Sequence, residues 1–87
     1  MNKQKIIETL DKLEQTQHKL YGYNAKEILV VLGTNINREN EKKVRKQLRL
    51  LISKQLYPEF ATAGNEDIVY CPNGKGSGTY RLSKYRG

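Results

Sequence analysis

Arg38, Lys42, Lys46 and Arg49 stand four, four and three residues apart, the spacing that stacks side chains along one side of a helix, and Lys43 and Arg45 flank the row. A ridge of ammonium and guanidinium groups suits one chemistry above others, the neutralisation of a row of anions such as a phosphate backbone. An ordinary solvated helix face intersperses signs and gains support from Glu–Lys pairs four residues apart. Here Glu39 to Lys43 and Glu41 to Arg45 are the pairs available, both in the first turns, so Lys42, Lys46 and Arg49 repel one another along the helix. Such repulsion is relieved when a polyanion lies against the ridge. In the first turns Arg38 suits guanine edges and Asn40 suits adenine, which makes these two the base-reading candidates.

Other reactive residue types yield less. Gly74, Gly76 and Gly78 with Lys75 and Ser77 evoke a phosphate loop, but a Walker motif needs four residues before its Gly-Lys pair and a helix after it, and neither is present. Glu66 and Asp67 are adjacent, so in a strand they point to opposite faces and cannot act together as acid and base or hold a metal. Cys71 has no His in its segment and sits in an apolar run, as core filler does. His18 is the only histidine and falls near the end of a helix, where an imidazole suits the dipole. No catalytic residue, metal site, cofactor or small-molecule substrate is expected, and the chain is not expected to be an enzyme.

The elements that must position the ridge follow from periodicity. Ile6, Leu10, Leu13, Gln17 and Leu20 predict an amphipathic helix over residues 3–20, with Glu8, Asp11 and Glu14 outside. Gly22 suits a positive φ just past it, and Tyr21 and Tyr23 can cover the core edge. Asn24 with Glu27 three residues on is a capping box, and Ile28 to Leu32 follows as a short helix at the centre of the core, stopped by Gly33. A buried strand is the rival for this apolar run; cap and glycine favour helix. Ile36 can plug the core, and Asn37 or Asn40 can cap the basic helix, which runs from Arg38 to Leu56 with Val44, Leu48, Leu51 and Ile52 on its buried side. Tyr57-Pro58 ends it. Phe60 to Thr62 predicts a short strand, and Asp67 to Cys71 faces Thr79 to Leu82 across a flexible cationic loop of residues 72–78. Residues 83–87 make a basic tail that is expected to be disordered.

These 87 residues suffice for one domain, residues 1–87, with a single small core. Of the formal net charge of +7, +5 falls between Asn37 and Leu56, where seven Lys or Arg stand against Glu39 and Glu41. A lone cysteine excludes a disulfide scaffold, and the charged amino-terminal stretch excludes a signal peptide or membrane span, so a cytoplasmic, nucleoid-associated protein is expected.

The order helix, turn, helix, glycine turn, basic helix, hairpin resembles the winged helix-turn-helix family from about Lys3 to Tyr85. Asn24 to Leu32 matches its supporting helix, Gly33 its turn, Arg38 to Leu56 its recognition helix and Asp67 to Leu82 its wing. Phe60 and the closing Gly78 to Leu82 are more loosely similar to winged domains found beside restriction nucleases. The resemblance implies an α+β fold of three helices followed by a small antiparallel β-hairpin wing, with the recognition helix in the DNA major groove and Lys75 at the wing tip on the backbone. The expected function is double-stranded DNA binding, as a transcriptional regulator or DNA-targeting module. Arg38, Asn40, Lys42 and Lys46 would face the groove, and Lys43, Arg45, Arg49 and Lys75 the phosphates. Leu50, on the basic side of a helix longer than the family's, leaves room for a homodimer or protein partner. The alternatives are RNA bound by shape and a phage or plasmid protein-interaction module whose ridge grips an acidic partner.

Overall fold

A computed structural model describes residues 2–86. Helix α1 spans Lys3–Thr16, and the Asn2 side chain caps it by accepting the Lys5 N–H at 2.9 Å. Its stripe of Ile6, Leu10 and Leu13 is fully buried. The helix stops four residues short of the expected Leu20, because the Tyr23 hydroxyl accepts the Lys19 N–H at 2.9 Å and His18 turns the chain with a φ of 51°. Leu20 is consequently 69% exposed instead of on the stripe. Tyr23 enters the core while Tyr21 stays outside. Gly22 is required here, since its φ is 84° and an added Cβ would stand 2.9 Å from the Tyr80 carbonyl oxygen.

Glu14, expected in solvent, is buried: its carboxylate receives both Nε and Nη2 of Arg81, a partner from the far end of the chain. Asp11 accepts from the Tyr85 hydroxyl, so it too serves as an internal acceptor.

Helix α2 spans Ala25–Leu32 with both halves of the capping box formed, and Gly33 closes it in the left-handed region at φ 72°. The apolar run is therefore helical. Ile28 and Leu29 are fully buried, but Val30 is 61% exposed, so the run is buried on one side and not around its circumference. Asn37 caps helix α3, Arg38–Leu51, by accepting the Asn40 N–H at 2.8 Å. Val44, Leu48 and Leu51 pack with Leu29 and the α1 stripe in one core. Ile36 is left half-exposed rather than plugging that core.

The basic helix ends at Leu51, five residues before the expected end. Ile52 is extended and bridges Val69 in parallel, with the Ser53 N–H on the Val69 carbonyl at 2.7 Å and the Ile68 N–H on the Leu51 carbonyl at 3.1 Å. The Asp67 carboxylate then accepts from the Ser53 hydroxyl and the Gln55 N–H at 3.1 and 3.0 Å, holding the departing chain. Pro58–Ala63 is a 3₁₀ helix where a strand was expected, with proline at its start and Gly64 at φ 76° at its end.

Strands β1, Val69–Tyr70, and β2, Arg81–Leu82, pair antiparallel with Val69 opposite Leu82 and Tyr70 opposite Arg81. They are shorter than the expected segments because the Tyr57 hydroxyl takes both backbone groups of Cys71, at 3.1 and 3.2 Å, and so ends the ladder. Tyr23 adds an antiparallel bridge to Tyr80, two bonds of 2.8 Å, tying the hairpin to the α1–α2 connection. Ser83–Tyr85 forms a 3₁₀ turn and Tyr85 packs on the core, so this part of the tail is built in; Gly87 lies outside the described residues. The described residues form an α+β fold of three α-helices and one two-stranded antiparallel hairpin. Among the described residues no helix is long and apolar enough to cross a membrane.

Candidate functional site

With Val44, Leu48 and Leu51 turned to the core, helical spacing sends Lys42, Arg45, Lys46 and Arg49 outward, and all four are exposed. The hairpin loop faces the second half of α3. Between them lies a groove of about 440 Å³ whose walls carry Lys42, Arg45, Lys46, Arg49 and Lys75 and whose floor is Ile52, Phe60, Cys71 and Tyr80. Among the described residues no acidic side chain lines it. Four cations of α3 and a fifth, Lys75, from the distant hairpin loop thus meet on one concave surface, where a low-dielectric floor focuses their field.

The loop is held in place, not free as its glycines imply. The Asn73 amide donates to the Tyr21 carbonyl and the Thr79 hydroxyl, both at 3.1 Å, and the Gly74 N–H closes a turn on the Cys71 carbonyl at 3.0 Å. Lys75 pairs with Glu59 of the 3₁₀ helix and lies 5.6 Å from the centroid of the Phe60 ring. Lys75 beside Glu59 holds that carboxyl below the usual carboxylate range.

Along α3, Glu39 stands 3.6 Å from Lys43 and Glu41 3.9 Å from Arg45, long and largely exposed contacts that neutralise little. Among the described residues Arg38, Lys42, Lys46 and Arg49 form no ion pair. Burial pushes the Cys71 thiol up, so it is a neutral floor group and a poor nucleophile. Burial likewise raises the Tyr80 phenol, and Arg45 and Arg49 line the same groove as its ring.

Of the eight residues singled out in the sequence, the groove unites Lys42, Arg45, Lys46, Arg49 and Lys75. Arg38 is exposed at the first position of α3, before the groove begins. Asn40 is half-buried, and its amide donates to the Asn35 carbonyl at 2.9 Å, which commits part of its hydrogen-bonding capacity to the turn. Asn40 and Lys43 share a separate hollow of about 210 Å³ with Lys5, Leu32 and Thr34. His18 sets its Nδ1 3.2 Å from Glu14, a contact within the fold.

The apolar floor was not foreseen. Phe60 was expected in a strand and Ile52 in the helix core; both reach the groove because α3 ends early. The mixture of Tyr80 with Cys71, side chains of facing hairpin segments, is the one sequence signal that points there. Comparisons with protein-family models, curated proteins and solved structures give no match to this chain.

Proposed function

We propose that the chain is a winged helix-turn-helix domain that binds double-stranded DNA as a transcriptional regulator or DNA-targeting module, without cofactor or catalysis. In this assignment α2, the turn after Gly33 and α3 form the helix-turn-helix, and the hairpin loop is the wing. The observation that carries it is the groove in which Lys42, Arg45, Lys46, Arg49 and Lys75 converge with no acidic residue among its walls. Phosphates of a duplex lying along α3 meet Lys42, Arg45, Lys46 and Arg49 on the helix and Lys75 on the loop, giving grip that is independent of sequence. Arg38, exposed at the leading end of α3, is the residue available for a guanine edge. Asn40 retains one amide hydrogen and its carbonyl oxygen for a base or the backbone.

Titration with a random-sequence duplex at two salt concentrations tests this. With five phosphates neutralised, raising salt fourfold should weaken binding several hundred-fold, at roughly 0.9 counterion released per contact. A folded protein that binds no duplex at low salt but binds an acidic polypeptide would overturn the assignment in favour of a protein partner.

A further inference from the structure

A row of phosphates needs cations and nothing beneath them. This groove has more, an apolar floor of Ile52, Phe60, Cys71 and Tyr80 under its five cations, in a volume of about 440 Å³ that falls within the roughly 300–1,000 Å³ of small-molecule sites. A phosphate drawn over that floor would lose hydration without gaining a partner, whereas a flat heteroaromatic ring matches it.

We infer that the groove receives a single unstacked base, so that the preferred ligand is DNA carrying an unpaired nucleotide, with the base over Phe60 and Tyr80 and its flanking phosphates on Lys42, Lys46, Arg49 and Lys75. This rests on the proposal that the groove binds DNA and adds which form of DNA it selects. Both rings are fixed in advance. Tyr57 meets Phe60 edge-on, centroids 6.3 Å apart at 83°, and Tyr80, whose backbone makes two 2.8 Å bonds to Tyr23, packs its side chain against the core. Pre-set rings lose little freedom when a base stacks on them. Arg45 and Arg49, which line the same groove as Tyr80, supply charge that the flanking phosphates of the base require. Lys75, lying over the Phe60 ring and paired with the exposed Glu59, occupies the place the base would take. An exposed pair of this kind is weak, so an entering nucleotide can displace Lys75 from the ring and supply a phosphate in place of the Glu59 carboxylate.

The test compares a matched duplex with the same duplex carrying one extra adenine, and repeats the comparison with 2-aminopurine at the extra position. Stacking of this kind gives about 5- to 160-fold in affinity, so the bulged duplex should bind tighter by a factor in that range, and the emission of the bulged 2-aminopurine should fall on binding. Phe60→Leu should bring the ratio of the two affinities close to one, while Phe60→Trp, which restores a ring, should keep the preference. Phe60 lies outside the buried core cluster, so both variants are expected to fold. Equal affinity for the two duplexes would overturn the inference while leaving duplex binding intact. A preference that persists in Phe60→Leu would move the base to another site and overturn it as well. Binding of neither duplex would remove the DNA assignment itself.

Discussion

Glu14 and Arg81, 67 positions apart, are joined by two hydrogen bonds in a nearly dry setting, with their side chains 1% and 5% exposed. Arg81 also donates to the Tyr70 hydroxyl at 3.2 Å, so the pair locks α1 to both strands of the hairpin. Hydrogen bonding from the Arg81 guanidinium holds the Glu14 carboxyl below its usual range, and backbone donation from Gln55 does the same to Asp67. A depressed carboxyl contributes stability above its unfolded pKa and loses it as pH falls through the folded value. The melting temperature should therefore hold from neutrality to about pH 5 and fall below about pH 4. Glu14→Gln should flatten part of that fall and lower stability at neutral pH, by about 3–5 kcal/mol if Arg81 is left buried without its counter-charge. Thermal melts from pH 3 to about 8 on both proteins check this. Nothing in the sequence marks Glu14 as different from Glu8, because helical periodicity assigns a face but cannot say which distant cation folds back onto it.

At the scale of elements, what was legible is what is encoded locally. The Asn24–Glu27 capping box, the Gly33 stop, the Asn37 cap and the Val44, Leu48, Leu51 stripe are all set by residues within a turn or two of one another. The end of α3 was not legible, because good helix-forming residues continue past Leu51 while the Ile52–Val69 bridge and the Asp67 carboxylate, contacts from later in the chain, pull the backbone away. That early exit opens the groove. Leu48 is fully buried at the centre of α3, so Leu48→Ala should cost about 2–5 kcal/mol by chemical denaturation; a midpoint unchanged from the parent would contradict the packing. Lys75→Ala should weaken binding modestly and equally on every duplex sequence, since a phosphate contact carries no sequence information. A filter-binding comparison on several duplexes reads this directly. Glu59→Gln should act in the opposite direction, because it removes the carboxylate that now competes for Lys75.

Across the whole molecule, most of the charge excess sits in one stretch, +5 of +7 between Asn37 and Leu56, and the fold adds Lys75 to it from a distant loop. The concentration of charge was readable from composition alone. Its concavity was not, for it depends on where a hairpin tied to Tyr23 comes to rest beside α3. The fold also separates cations that neighbour one another in sequence: Lys46 lines the groove, whereas Lys43 faces the hollow beside Lys5 and pairs with Glu39. The proposed function stands on that separation. The most direct test is the slope of log K against log salt for random duplex, measured for the parent, Lys46→Ala and Lys43→Ala. Five phosphate contacts predict a parent slope of about −4 to −5, a reduction of about one for Lys46→Ala, and less than half of that for Lys43→Ala. Equal changes for the two lysines, or a parent slope near zero, would contradict binding through the groove.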